Sequence, residues 1–133
     1  MDDFMSGRHS SRIIWHRSHR IAGSPASIDA AVFVGEVVFR NGERGTYIGS
    51  ETVGTTHDPD AFSGNAIIVL SDGSVSNQIF EGKTEAIKGP DRFAGTGTWR
   101  MERGTGRFAD LKGSGSFKWT MTGDEYEDHF QHD

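Results

Sequence analysis

The residues of this chain best suited to chemistry are a glutamate and a tyrosine four positions apart, in the segment GTYIGSETVG (45–54). Side chains two or four apart share one face of a strand, so Glu51 and Tyr47 point to the same side. If that side is the interior, burial raises the pKa of the Glu51 carboxyl and lets it transfer protons near neutral pH. Tyr47 would then orient a ligand or share a proton. These two are the candidate catalytic residues.

The opposite orientation of this strand fits the sequence equally well. Ile48 would then be the buried residue, and Glu51 would lie in solvent. Ser50 and Thr52, on the other face from Glu51, are polar. The alternation of polar and apolar residues therefore does not decide which face is inside.

The glycine-rich motifs do not predict a nucleotide site. The region 93–121 contains three G-x-G triplets, but the dinucleotide fingerprint needs a helix after its glycines, and RFADLKG (107–113) is too short for one. Gly82-Lys83-Thr84 resembles the end of a P-loop, but Asn77 replaces the required first glycine. A serine-hydrolase elbow is also missing, because Gly113-Ser114-Gly115 is too tight.

We expect no metal centre. The absence of cysteine excludes disulfides, thiolate metal sites and a cysteine nucleophile. Histidines three apart lie on opposite faces of a strand and do not chelate one ion there. Two such pairs occur, His16/His19 and His129/His132.

The loop GTTHDPDAFSGN (54–65) leaves one alternative open, a metal-dependent hydrolase. Its candidate ligands would be His57, Asp58 and Asp60. An EF-hand is not indicated, because Phe62 and Ser63 stand where a ligand and a glycine are needed.

Length and charge limit the possible partners. The 133 residues suit one domain, 1–133, in which we expect 1–10 and 128–133 to be flexible. The net charge of −5 argues against binding nucleic acid. No stretch approaches the ~18 apolar residues of a membrane span, and there is no signal-peptide pattern. A small domain without disulfides fits the cytoplasm.

The charge is unevenly distributed between the two ends of the chain. RHSSRIIWHRSHR (8–20) has arginines and histidines but no acid, whereas DEYEDHFQHD (124–133) has acids but no lysine or arginine. We expect the two ends to lie together in neighbouring first and last strands, where they offset each other. A phosphate or anion site at the basic end is the alternative.

Strand signals dominate the chain. AVFVGEVVFR (31–40) and GTYIGSETVG (45–54) flank a glycine-containing turn and predict a hairpin. AIIVLSDGSVSNQIF (66–80) predicts a second hairpin around Asp72-Gly73. The segment 13–21, with Ile13, Trp15 and Ile21 in odd register, predicts an opening strand. Short strands separated by glycine turns indicate an all-β antiparallel sandwich or barrel.

A repeat with an offset of 18 residues supports the barrel. Each copy reads large apolar, Gly, Gly, aromatic, large, with every member two positions from the next. The copies are Phe93, Gly95, Gly97, Trp99, Met101 and Leu111, Gly113, Gly115, Phe117, Trp119. Each copy therefore places its members on one face.

Glycines on the inner face of a sheet allow sharp coiling, and a neighbouring aromatic ring can cover the gap. They also leave room that can become a cavity. If it does, we expect the same inner face to bind a ligand. The candidate ligand-binding residues are Trp99, Met101, Phe117, Trp119, Gly95, Gly97, Gly113 and Gly115.

The segment GTGRFADLKGSGSF (104–117) resembles the hallmark of the allene oxide cyclase-like barrels, which include plant allene oxide cyclases, dirigent proteins and small bacterial barrels. Members share a GGTGxFxGxxGxG-type segment late in the chain. The residues that fill it here are Gly104, Thr105, Gly106, Phe108, Gly113 and Gly115, with Asp110 where Gly or Ala is frequent. SETVGTT (50–56), with Glu51, is similar to a segment of the bacterial members.

This resemblance implies a closed antiparallel barrel of about eight strands, an apolar cavity and assembly into homo-oligomers, dimers or trimers. Plant members cyclise an unstable epoxide or steer a radical coupling, mainly by holding the substrate's shape and without a cofactor. We therefore expect a barrel that binds an apolar small molecule, as a cofactor-independent cyclase or isomerase. The alternative is a non-enzymatic oligomeric scaffold with a filled barrel.

Overall fold

Eight antiparallel strands follow one another around a closed barrel. The computed structural model describes residues 4, 6–54 and 58–133. The strands are β1 (Gly7–Arg20), β2 (Ser27–Phe39), β3 (Arg44–Val53), β4 (Ala61–Leu70), β5 (Val75–Ile87), β6 (Arg92–Gly104), β7 (Ser114–Thr122) and β8 (Glu125–His132). Each strand pairs with the next in sequence, and β1 pairs with β8. The all-β closed antiparallel barrel predicted from the sequence is confirmed.

The strands begin and end where the sequence places turns. Both predicted hairpins are present, as β2–β3 and β4–β5. At the second turn Gly73 has φ +87°, a conformation that favours glycine, and Asp72 Oδ1 accepts a hydrogen bond from the backbone N–H of Ser74 at 2.9 Å. The loop predicted over 54–65 is shorter, because β4 already begins at Ala61.

The two ends of the chain meet, as expected from their charges. Arg8 faces His129 and Arg12 faces Glu125 across the β1–β8 pair. The terminal segments 1–10 and 128–133 include strand residues, Gly7–Ser10 in β1 and Asp128–His132 in β8. The barrel closes through the pairing of these two segments.

A bulge changes the expected register of the opening strand. The β1–β2 pairing shifts between Ile13 and Trp15, so Ile14 is an extra residue on β1. Trp15 is consequently 47% exposed, although its odd-numbered position would otherwise share the inner face with Ile13.

The inner glycines lie directly opposite aromatic residues of the neighbouring strand. In the β6–β7 pair, Gly95 faces Trp119, Gly97 faces Phe117 and Gly115 faces Trp99. A Cβ atom at any of these glycines would overlap the facing ring or a nearby backbone oxygen. The space left by the glycines is therefore filled by protein, which allows large rings to pack inside a strongly curved sheet.

The β4–β5 pair repeats this arrangement, with Gly64 opposite Phe80 and Gly82 opposite Phe62. The 18-residue repeat is thus part of a wider pattern of cross-strand glycine–aromatic pairs. Its second copy is only partly in a strand, because Leu111 and Gly113 precede β7.

One end of the barrel is closed by the segment between β6 and β7. A short 3-10 helix, Gly106–Phe108, places the ring of Phe108 in the core with 1% of its surface exposed. That ring lies 5.2 Å from the ring of Phe4 and 6.2 Å from the ring of Phe39. We call this end the closed end, and the other end the mouth.

Candidate functional site

Glu51 and Tyr47 face the barrel interior. On β3 the inward positions are Gly45, Tyr47, Gly49, Glu51 and Val53, whereas Ile48 is 42% exposed on the outer surface. Of the two orientations that the sequence allows, the inward one is therefore found. The side chain of Tyr47 folds over Gly49, where a Cβ would lie 2.8 Å from the phenol oxygen.

The mouth leads into an apolar pocket of about 330 Å³. We call it the mouth pocket. Its walls are mostly apolar side chains, which include Ile13, Val53, Phe62, Phe93, Trp119 and Met121. His16, Asp29, Asp60 and Thr84 also line it, and His16 Nε2 lies 3.8 Å from Asp29 Oδ1.

A smaller cavity of about 50 Å³ lies further inside the barrel. We call it the inner cavity. Three residues, Phe33, Glu51 and Tyr126, line both spaces. The Glu51 carboxyl therefore stands at the junction between an apolar pocket and a deeper cavity.

The environment of Glu51 is that of a proton-transfer group. Burial raises the pKa of its carboxyl from 4.5 to about 7. No basic side chain in the described ranges 4, 6–54 and 58–133 forms an ion pair with it. A carboxyl with a pKa near 7 is close to equally populated in its acid and base forms at neutral pH, as general acid–base catalysis requires.

The inner cavity contains a hydrogen-bonded group of polar residues. His9 Nδ1 lies 3.1 Å from Asp128 Oδ2, and the phenol of Tyr126 donates a hydrogen bond of 2.9 Å to the same oxygen. His9 is 4% exposed. The ring of Tyr47 packs on the ring of His9, with centroids 3.5 Å apart. Four polar side chains from β1, β3 and β8 thus meet inside the barrel, and Glu51 and Gln78 line the same cavity.

Both phenols of this group stay protonated at neutral pH. Burial, reinforced by the charge of Asp128, raises the pKa of Tyr47 and of Tyr126 well above the usual value. A protonated phenol has one hydrogen to donate. Tyr126 donates its hydrogen to Asp128 Oδ2, so Tyr47 is the phenol that can stabilise an oxygen atom that gains negative charge.

Sequence reasoning did not identify His9, Tyr126 and Asp128. His9 was interpreted as part of a basic segment and Asp128 as part of an acidic one. The available signal was period-two alternation, because Tyr126, Asp128 and Phe130 share one face of β8. This alternation indicates that polar residues occupy inward positions of β8. It does not indicate the register between β1 and β8 that brings His9 next to Asp128.

The expected ligand-binding residues occupy different places. Trp99 and Phe117 line the inner cavity, and Trp119 lines the mouth pocket. Met101 lines neither space; its sulfur accepts a hydrogen bond of 3.3 Å from Ser76. The four glycines line neither space either. Gly95, Gly97 and Gly115 are covered by aromatic rings, and Gly113 lies outside β7.

The loop considered for metal binding is only partly described. His57 lies outside the described residues. Asp58 accepts a hydrogen bond from the backbone N–H of Asp60 and pairs with Lys83 at 3.0 Å. Over residues 4, 6–54 and 58–133, no three His, Asp or Glu side chains are placed to hold one metal ion.

Long apolar helices are also missing: across the described part of the chain, none could span a membrane. Comparison with family models, curated proteins and solved structures found no match to this chain.

Proposed function

We propose that this barrel binds an apolar small molecule in the mouth pocket and isomerises or cyclises it without a cofactor, with Glu51 transferring the proton. The observation that supports this most is the position of Glu51. Its carboxyl is shared by the apolar pocket and the inner cavity, lacks an ionic partner among the described residues, and has a pKa of about 7.

An isomerisation suits this arrangement because it needs no second substrate. As a carboxylate, Glu51 takes a proton from one atom of the substrate and, as an acid, returns it at another. The electron pair released by the first step would move onto a substrate oxygen. The Tyr126 phenol already donates its hydrogen to Asp128, so the protonated phenol of Tyr47 is the donor that would stabilise that oxygen.

The apolar walls support the same proposal in two ways. Contacts with Phe62, Phe93 and Trp119 would bind the carbon skeleton and exclude water, which keeps the Glu51 carboxyl basic. They would also hold a flexible substrate in one shape, which is how the allene oxide cyclase-like proteins that the sequence resembles control their reactions. That family assignment is itself part of this proposal.

Binding can be tested by filling the pocket. Met121 lines the mouth pocket, and the adjacent Thr120 faces solvent. We expect wild-type protein and Thr120→Trp to bind the apolar fluorophore 1-aminoanthracene saturably with one site per chain. Met121→Trp should weaken binding at least tenfold because the indole occupies the pocket. Absence of saturable binding to the wild type would refute the proposal.

Catalysis needs a separate test. Pooled apolar epoxides and enones would be incubated with wild type and Glu51→Gln, and the products would be separated by mass-resolved chromatography. We expect a product of unchanged mass that forms with wild type and at least 100-fold more slowly with Glu51→Gln. Equal rates in the two proteins would remove Glu51 from the mechanism.

A scaffold function is the second candidate, favoured by the outer surface. Val34, Ile48 and Ile67 lie directly opposite one another on β2, β3 and β4. Val34 is 36% exposed and Ile48 is 42% exposed, so an apolar row crosses the outside of the sheet. Such a row could pack against a second copy of the chain.

Light scattering of purified protein tests this second candidate. It predicts an oligomer that Ile48→Arg dissociates, whereas Ile87→Arg, at an exposed position near the mouth, leaves it intact. A wild-type monomer at all concentrations would exclude it.

A further inference from the structure

We propose that the inner cavity binds a hydroxyl group of the ligand through His9, so that the ligand combines an apolar body with one hydroxyl. This inference rests on the proposed binding function and narrows its substrate class to apolar molecules, epoxides and enones among them, that carry a hydroxyl group. His9 is then the residue that determines specificity, and Asp128 is the residue that positions it.

The hydrogen bond to Asp128 fixes the tautomer of His9. A carboxylate can only accept hydrogen bonds, and Asp128 Oδ2 already accepts one from Tyr126. The His9 nitrogen that faces the same oxygen at 3.1 Å, Nδ1, must therefore carry the proton. In a neutral imidazole the other nitrogen, Nε2, is then a bare acceptor.

Several buried polar atoms of this region have no hydrogen-bond partner within the described residues. They are His9 Nε2, Asp128 Oδ1, Ser11 Oγ and the indole Nε1 of Trp99, which also lines the inner cavity. The first two need a donor, and leaving such an atom unpaired in the interior costs free energy. A hydroxyl group supplies that donor. A carbonyl or ether oxygen has no hydrogen to donate, so it would leave His9 Nε2 and Asp128 Oδ1 unpaired.

The volumes of the two spaces indicate which part of the ligand each one binds. A water molecule needs about 10–15 Å³ of such volume, so the inner cavity of about 50 Å³ admits a group of a few atoms but not a ring system. The mouth pocket of about 330 Å³ takes the apolar body. Glu51 and Tyr126, which line both spaces, would lie beside the bond that joins the hydroxyl to that body.

A carboxylic acid fits this site poorly. Its anion would lie in the same small cavity as Glu51 and Asp128, and like charges at short range in a buried site repel strongly. The geometry therefore separates the expected ligands from fatty acids, although both present an apolar body with a polar end.

Four naphthalene probes of similar size test the inference by isothermal titration calorimetry. They are 2-naphthol, a donor; 2-acetonaphthone, an acceptor; 2-naphthoic acid, an anion; and 2-methylnaphthalene, which has no polar group. We expect wild type to bind 2-naphthol about tenfold more tightly than 2-methylnaphthalene, as one net hydrogen bond allows. The ketone should bind more weakly than 2-naphthol, because it leaves His9 Nε2 unpaired, and the anion should bind no better than 2-methylnaphthalene.

His9→Phe supplies the matched variant, because it keeps a ring and removes both nitrogens. It should abolish the preference for 2-naphthol over 2-methylnaphthalene. If circular dichroism shows that His9→Phe is unfolded, Asp128→Asn gives a second route. It keeps the side-chain volume, frees His9 from its orienting charge and should reduce the preference at least threefold.

The outcomes separate this inference from the proposed function. If all uncharged probes bind wild type with equal affinity, the protein has an apolar pocket but His9 does not select for a hydroxyl group. In that case only this inference fails. If the preference persists in the folded variant, another group binds the hydroxyl and the inference is again overturned. If no probe binds, the proposed binding function fails together with it.

Discussion

His9 on the first strand and Asp128 on the last strand are joined by a hydrogen bond of 3.1 Å between Nδ1 and Oδ2. The two residues lie 119 positions apart. They come together only when β1 pairs with β8, where His9 faces Asp128 in the register. The inner polar group therefore forms only when the pairing of β1 with β8 closes the barrel.

Asp128→Ala should destabilise the fold by about 1–3 kcal/mol, because His9 Nδ1 and the Tyr126 phenol would both lose their acceptor in the interior. Urea unfolding followed by tryptophan fluorescence measures the change. Glu127→Ala is the control, since Glu127 is the neighbouring outward residue on β8. A loss in Asp128→Ala no larger than in the control would contradict the role of this hydrogen bond.

This pair also shows which parts of the structure the sequence could predict. Local signals, such as glycine turns and period-two alternation, are enough for the strands, the two central hairpins and the paired termini. The sequence does not decide which face of β3 points inward, because the polar residues Ser50 and Thr52 alternate with residues that are not uniformly apolar. Which face is buried depends on how the other strands pack around β3.

The members of the site were predictable only within single strands. Glu51 and Tyr47 are four apart on β3, so their common face follows from strand geometry. His9 and Asp128 depend on the register between chain ends, which no local pattern specifies. The same holds for the inner glycines, because whether their space is filled depends on which residue lies opposite on the next strand.

Glu51 should make the stability of the protein depend on pH. Its pKa is about 7 in the folded protein against 4.5 for the free carboxyl, so the folded state holds the proton more tightly. The free energy of unfolding therefore falls as pH rises from 4.5 to about 7. Below and above this range, the contribution of Glu51 does not change with pH. A shift of this size corresponds to about 3 kcal/mol.

Glu51→Gln, which cannot ionise, removes this dependence. We expect it to match wild type at pH 4 and to exceed it by up to about 3 kcal/mol at pH 8, measured by urea unfolding across the range. Glu81→Gln on the outer face of β5 serves as the control and should keep the wild-type pH profile. A flat profile for wild type would show that Glu51 is not buried as described.

The glycine–aromatic pairs should show energetic coupling. Gly97→Ala places a methyl group against the ring of Phe117 and should cost about 1–3 kcal/mol. Phe117→Leu relieves part of that overlap, so the double variant should lose at least 0.5 kcal/mol less than the sum of the single losses. Thermal unfolding of all four proteins of the cycle gives the coupling.

A matched cycle with Thr98→Ala and Phe117→Leu should be additive, because Thr98 is on the outer face of β6 and lies opposite Ser116. Equal coupling energies in the two cycles would mean that the coupling arises from general strain in β6. It would not then arise from the packing of the Phe117 ring over Gly97.

Phe108 should be essential for stability but not for binding at the mouth. Its ring is 1% exposed and packs at the closed end with Phe4 and Phe39. Phe108→Ala should therefore cost about 3–5 kcal/mol, as large cavities in a core do. The affinity for 1-aminoanthracene should stay within about twofold at temperatures where the variant is folded, because the mouth pocket lies at the other end.

The adjacent Arg107 provides the control for this variant. Its guanidinium pairs with Glu43 and Asp72 on the turns of the two central hairpins, in contact with solvent. Arg107→Ala should therefore destabilise far less than Phe108→Ala, and its effect should shrink in high salt. Equal losses in the two variants would show that the charged turns and not the buried ring close this end. Loss of probe binding by folded Phe108→Ala would show that the two ends of the barrel are coupled.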